Sequence, residues 1–96
     1  MNLQIQSVRF DADQKLIDYV ESKMNKLDRF EDGITSCSVI MKLDKDHDNG
    51  NKVVTVSLSV PGTELVAERR SHTFEQSADE AIDALRQQIA KRKKAN

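Results

Sequence analysis

Two groups of basic residues carry the spacing that phosphate recognition would use. In Lys23-Met24-Asn25-Lys26-Leu27-Asp28-Arg29 a cation recurs every third residue, which places successive charges near one another on a helix surface. The second group is Arg86 followed by Lys91, Arg92, Lys93 and Lys94, with no acid between Arg86 and Asn96. Clustered ammonium and guanidinium groups attract phosphates and release their counterions. Other chemistries fail on residue type or spacing. The stretch Asp44-Lys45-Asp46-His47-Asp48-Asn49-Gly50 opens like a calcium loop, with oxygen ligands at alternate positions. Its glycine comes one residue late, and Thr55 stands where a bidentate Glu is required. A solvated hairpin loop turned by Asn49-Gly50 is the better reading. His47 and His72 have no nearby partner that would complete a ligand pair or a nucleophile and base, so both read as surface loop residues. Gly33, Gly50 and Gly62 each fall at a turn, so no glycine-rich phosphate loop exists. The expectation is a protein that is not an enzyme, with no cofactor, no metal site and no small-molecule substrate.

Composition narrows the classes further. A chain of 96 residues has room for one core, so a single domain over residues 1–96 is expected. With 38% hydrophobic and 32% charged residues, the chain has a folding composition, not a disordered one. Cys37 is the only cysteine, which removes an intramolecular disulfide and a cysteine-based zinc site and fits a reducing cytoplasm. It is in phase with Val39 and Met41 and reads as a small buried hydrophobe. Met1 to Phe10 alternates polar and apolar residues, so neither a signal peptide nor a membrane partner is expected. The net charge of −1 is an average over segregated charges. Acids dominate Glu75 to Asp83 and bases dominate the segment after it, so location decides what a partner meets.

The elements that must position these charges follow from periodicity. Leu3 and Ile5, then Val8 and Phe10, give two short alternations that change phase near Ser7, predicting a strand over 2–9 with a bulge or an early end. Asp11 or Asp13 can N-cap a helix over 14–30, whose apolar residues are Leu16, Ile17, Val20, Met24, Leu27 and Phe30, ending near Asp32-Gly33. Cys37, Val39, Met41 and Leu43 alternate with Ser36, Ser38, Ile40 and Lys42. Val54, Val56, Leu58 and Val60 alternate with Thr55, Ser57 and Ser59, making a hairpin with the preceding strand. Pro61-Gly62 turns the chain into a strand from Glu64 to Arg70. Thr73 and Gln76 suggest a capping box, and Phe74, Ala78, Ala81, Ile82, Leu85 and Ile89 mark the inner stripe of a second helix. The order βαβββα predicts an α+β two-layer sandwich: a four-stranded mixed sheet with two helices packed on one face. The other face, rich in Ser and Thr, is left to water.

Helical geometry sorts the charges. With Leu16 at zero and about 100° per residue, the apolar stripe centres near 35° and Lys23, Lys26 and Arg29 fall at about −20°, −80° and −140°. Glu21 and Asp28 fall on the opposite flank, at about +140° and +120°, though Asp18, at about −160°, sits beside the basic side. In the second helix Arg86, Lys91, Lys93 and Lys94 scatter around the axis, while Arg92 returns to the stripe direction. The last turn is then expected to project past the core as a basic tip. Acids early and bases late also suit the helix macrodipole. The sheet offers nothing comparable, because its outward positions Ser36, Ser38, Thr55, Ser57 and Ser59 lack the aromatics on which an RRM stacks bases. If RNA is bound, the helices bind it.

The same order of elements carries a family resemblance. The segment Asp18-Tyr19-Val20-Glu21-Ser22-Lys23-Met24-Asn25-Lys26-Leu27-Asp28-Arg29-Phe30, Pro61-Gly62, Thr73-Phe74-Glu75 and Leu85-Arg86-Gln87-Gln88-Ile89 occur in that order over essentially the whole chain. The sequence resembles the short form of the hibernation-promoting factor, or ribosome-associated inhibitor, also called the sigma-54 modulation protein family. The resemblance implies a bacterial stress or stationary-phase protein that binds the small ribosomal subunit and the whole ribosome. It would lie where mRNA and tRNA sit and inhibit translation by occlusion, with its basic helices against ribosomal RNA phosphates. Lys23, Lys26, Arg29 and Lys91 fall where the family carries basic residues. Ala84 and Gln87 stand where relatives often have Lys and Arg, leaving Arg86, Arg92, Lys93 and Lys94 as substitutes. The acids of early helix two are expected to face away from phosphate. Long members add a C-terminal dimerisation domain that this sequence is expected to lack, so ribosome dimers would need another factor or surface.

Two rival readings remain at this level. One is a dsRBD-like module, although that fold runs αβββα and usually places its lysines at the start of its last helix. The other is a protein-binding adaptor using the Ser/Thr sheet face or the acidic loop.

Overall fold

The structure, a computed structural model, describes residues 1–31, 33–45 and 50–94, the Lys94 side chain excepted. Elements follow in the order β1 (Asn2–Val8), α1 (Gln14–Phe30), β2 (Ser36–Leu43), β3 (Lys52–Val60), β4 (Thr63–Ser71) and α2 (Phe74–Lys94). The strands form one sheet in the order β1-β2-β3-β4. β1 and β2 are parallel, because α1 carries the chain back between them, and the two following pairs are antiparallel. The expected α+β architecture is therefore present, and residue identity sets its register. Ile5, Val39, Val56 and Ala67 align across the four strands, as do Leu3, Cys37, Leu58 and Leu65. These rows face the helices and join Val20, Met24 and Leu27 of α1 with Ala78, Ala81, Leu85 and Ile89 of α2 in one core. The alternate rows, such as Gln4, Ser38, Ser57 and Val66, lie on the helix-free face.

Several local details differ from the periodicity reading. β1 stops at Val8 because Arg9 takes a left-handed φ of 68°, a conformation that breaks strand pairing. Phe10 then turns inward and stacks on Phe74, with ring centroids 4.3 Å apart and planes 11° apart. Of the two candidate caps for α1, Asp13 is used: its carboxylate accepts the Leu16 N–H at 2.9 Å. The helix closes where the Glu31 N–H donates to the Leu27 carbonyl at 3.1 Å. At α2 the Thr73 hydroxyl accepts the Gln76 N–H at 3.0 Å, as a capping box requires. The return bond comes from elsewhere, since the Thr73 N–H donates to the Ser71 hydroxyl at 3.3 Å. β4 extends one residue further at each end than Glu64 to Arg70. The helix end at Asp32, His47 and the Asn49 half of the hairpin turn fall outside the described residues.

Candidate nucleic-acid interface

The two helices lie side by side on the sheet, and the seam between them gathers part of the basic set. Lys23 sits on the α1 flank that faces α2, with its ammonium 3.4 Å from the Asp79 carboxylate and 5.4 Å from the Tyr19 ring centroid. Tyr19 completes the contact by donating its hydroxyl to Asp79 at 2.9 Å. Its phenol is held above the ordinary value of 10.0, first by burial, then by the hydrogen bond to Asp79 and that carboxylate's charge. Further along the seam, Lys23, Asp79, Ile82, Asp83 and Arg86 line one depression. Arg86 and Lys93 are seven residues apart on α2, so both point toward α1. The Arg86 guanidinium lies 5.6 Å and the Lys93 ammonium 5.7 Å from the centroid of the Phe30 ring. Lys93 also pairs with Glu31 at 3.0 Å. The Arg86 Nε is covered and has no hydrogen-bond partner among the described residues.

The remaining basic residues separate around this seam. Lys26 and Arg29 are exposed on the outer face of α1, where Asp18, Glu21, Ser22 and Asn25 share their surface. Lys91 is exposed and lies about 140° around the helix from Arg86, away from the seam. Arg92 turns back toward the sheet and donates to the Pro61 carbonyl at 3.2 Å. After Ile89, the last core residue, residues 90–93 are all exposed, and this basic end of α2 is tied to the end of α1 through Lys93 and to the β3–β4 turn through Arg92. Both anchors arise because Phe30, Glu31 and Pro61 are brought beside α2 by the fold. The Lys94 side chain is outside the described set.

Three residues of this seam were not among the candidates. Phe30 belongs by spacing to the apolar stripe, yet the residue is 52% exposed, because it sits in the last turn of α1 and off the stripe centre. Its angle, about −40° on the scale used above, already placed it on the flank of Lys23. Tyr19, at about −60°, shares that flank. Asp79 corrects the expectation that the acids of early helix two face away from the basic surface: it binds both Lys23 and Tyr19, and Asp83 lines the same depression. The signal was its seven-residue spacing from Arg86.

The opposite face of the molecule has a different character. Ser36, Ser38, Thr55, Ser57 and Ser59 are all half-buried there, and Thr55 donates its hydroxyl to Glu68 at 2.7 Å. Arg70 is engaged at its edge by Asp44 at 2.9 Å and by the Gly50 carbonyl at 3.0 Å. Cys37 is buried, and its thiol is pushed up to about 11 from 9.0, first by burial and then by the charge of Asp28. Among the described residues no group of three or more His, Cys, Asp or Glu could hold a metal ion. No helix among them is long and apolar enough to cross a membrane.

Comparison with known proteins gives this geometry a context. The chain is 33% identical over 93 residues to the ribosome hibernation promoting factor of Azotobacter vinelandii, covering 97% of this chain and 83% of the relative. It is 31% identical over 93 residues to the factor of the same name from Pseudomonas putida, covering 97% and 87%. A ribosome hibernation promotion factor from Deinococcus radiodurans, 31% identical, is about twice as long: the match spans 92% of this chain and 47% of that protein. The fold matches a ribosomal subunit interface protein of Coxiella burnetii with a TM-score of 0.85 at 22% identity, covering 97% and 98% of the two chains. It also matches the N-terminal domain of Thermus thermophilus Protein Y with a TM-score of 0.79 at 24% identity, covering 93% and 96%. The family model described as sigma 54 modulation protein / S30EA ribosomal protein spans residues 3–96, and the chain belongs to that family.

Proposed function

We propose that this protein is a ribosome hibernation factor that acts in the cytoplasm as one ribosome-binding domain over residues 1–96. It binds the small ribosomal subunit, alone or within the whole ribosome, and occludes the mRNA and tRNA sites. Translation is thereby inhibited under stress or in stationary phase, by exclusion and not by catalysis. The names of relatives that align over nearly all of the chain support a ribosomal partner. The observation that carries the mode of binding is the convergence of Lys23, Arg86 and Lys93 on the helix seam, with Lys26 and Arg29 exposed beside it. That layer offers a phosphate backbone several cations on a preformed helical surface. The sheet face offers hydroxyls and an exposed Val66, with no aromatic platform. Lys91 adds an exposed cation at the end of α2, and Arg92 and Lys94 belong to the same proposed RNA-binding set.

The test is cosedimentation with small subunits and whole ribosomes for the native chain and the Lys23→Glu, Lys26→Glu, Arg29→Glu triple variant. All three side chains lie outside the core, so the variant is expected to melt cooperatively and to lose ribosome binding. Native affinity in the folded triple variant removes α1 from the interface. Binding by that variant which also ignores salt points to a protein-binding adaptor that uses the sheet face.

A further inference from the structure

Phe30 is a large apolar ring left half in solvent at the end of α1, in a chain with no Trp and only one Tyr. A chain this short has few aromatics for its core, and the other two Phe residues, Phe10 and Phe74, stack on each other instead. The surroundings of Phe30 are cationic: Arg86 and Lys93 approach its ring at 5.6 and 5.7 Å. Cations near an aromatic ring are held by its quadrupole, which steadies both the ring and the charges. Lys93 is further fixed by Glu31 at 3.0 Å. The result is a half-exposed aromatic residue with two cations over its ring and the Glu31 carboxylate against one of them.

From this arrangement we infer that Phe30 is a stacking platform for one unpaired RNA nucleobase, with Arg86 and Lys93 receiving the phosphates on either side of it. The inference rests on the ribosome-binding reading and adds to its phosphate contacts a subsite for a splayed-out base. Every nucleobase presents a π-face, so the stack tolerates any sequence while demanding a single-stranded or bulged nucleotide. A continuous duplex keeps its bases inside and would meet only the cations. Charge complementarity selects RNA over a protein ligand here, because a base flanked by phosphates satisfies ring and cations together.

The experiment uses purified small ribosomal subunits and measures binding across a range of salt for the native chain, Phe30→Leu and Phe30→Trp. Phe30→Leu keeps apolar volume and removes the π-face. It is expected to bind about 5- to 150-fold more weakly, the range for losing one base–aromatic stack. The slope of log affinity against log salt should stay at the native value, because stacking releases no counterions. Phe30→Trp introduces the only indole in the chain; it should bind as the native chain does, with emission quenched as a base stacks on it. Native affinity in Phe30→Leu, or unchanged indole emission at saturation, overturns the stack while leaving the ribosome reading intact. A weaker Phe30→Leu with a shallower salt slope overturns it too, because the ring would then only position Arg86 and Lys93. Absence of binding by the native chain removes the ribosome reading and the subsite with it.

Discussion

At the scale of single residues, Asp79 stands out as an acid placed within a basic seam. It neutralises Lys23 at 3.4 Å and raises the Tyr19 phenol above its ordinary value. The Lys23 and Asp79 side chains are 37% and 42% exposed, so solvent screens the pair and its loss costs at most about 1 kcal/mol. Its effect on a phosphate ligand is repulsive. Asp79→Asn is therefore expected to tighten ribosome binding at low salt by about fivefold, the equivalent of roughly 1 kcal/mol between unit charges 4 Å apart in water. The same variant should lower the titration midpoint of Tyr19, the only tyrosine, read by its ultraviolet absorbance. Cys37 illustrates burial, helped by the charge of Asp28, acting on a side chain. With its thiol at about 11 against 9.0, the folded chain holds that proton more tightly than the unfolded chain does. The associated stability, about 2–3 kcal/mol, is fully present below pH 9 and is lost as pH rises toward 11. Urea midpoints between pH 8 and 11 should fall steeply in the native chain and less steeply in Cys37→Ala. Alkylation of the native thiol at pH 8 should also run about 100-fold slower than that of a free thiol.

At the scale of elements, the ends of helices and strands decide where the charges go. The β2–β3 connection returns at Gly50, whose φ of 109° suits a residue without a side chain. A Cβ there would lie 2.8 Å from the carbonyl carbon and oxygen of Ser71, which are backbone atoms at the end of β4. Gly50→Ala is expected to destabilise the fold by about 2–4 kcal/mol, seen as a fall of more than about 10 °C in melting temperature. Gly62 also has a positive φ, of 86°, but a Cβ there meets nothing within 4 Å. Gly62→Ala should cost only about 1 kcal/mol, because it carries conformational strain without a clash. The comparison separates close approach from backbone preference. The other functional end is that of α1, where the Glu31 cap leaves Phe30 beside the flank of α2 and supplies the carboxylate that holds Lys93.

Across the whole molecule, a net charge of −1 conceals local clusters of each sign. Lys23, Lys26, Arg29, Arg86 and Lys93 belong to the helix layer, interleaved with Asp18, Glu21, Asp79 and Asp83, while the outward rows of the sheet carry Lys42 and Arg70 beside Glu64 and Glu68. Association with a polyanion is thus governed by the face presented and not by the sum. Ribosome affinity should fall linearly on a log–log plot against salt, by about 0.7 to 0.9 per phosphate contact. Lys26→Gln, which removes one exposed cation, should reduce that slope by about 1 without shifting the melting temperature. A slope that does not change would exclude Lys26 from the phosphate contacts.

The element order, the span of α1, the parallel β1–β2 pair and the strand faces that meet the helices are legible in the residues alone. These follow from local periodicity, capping residues and turn residues, each of which acts within a few positions of the chain. Helical angle, a local property, also placed Lys23, Lys26 and Arg29 on one flank of α1, where Asp18 and Glu21 share the outer surface with Lys26 and Arg29. What those charges meet is set by long-range packing. Lys23 with Asp79, Lys93 with Glu31 and Arg92 with Pro61 join residues far apart in the chain, and their pairing depends on how the two helices lie on the sheet. The same packing sets Phe30 apart from the stripe it belongs to by spacing: the ring is exposed because the core ends before the helix does.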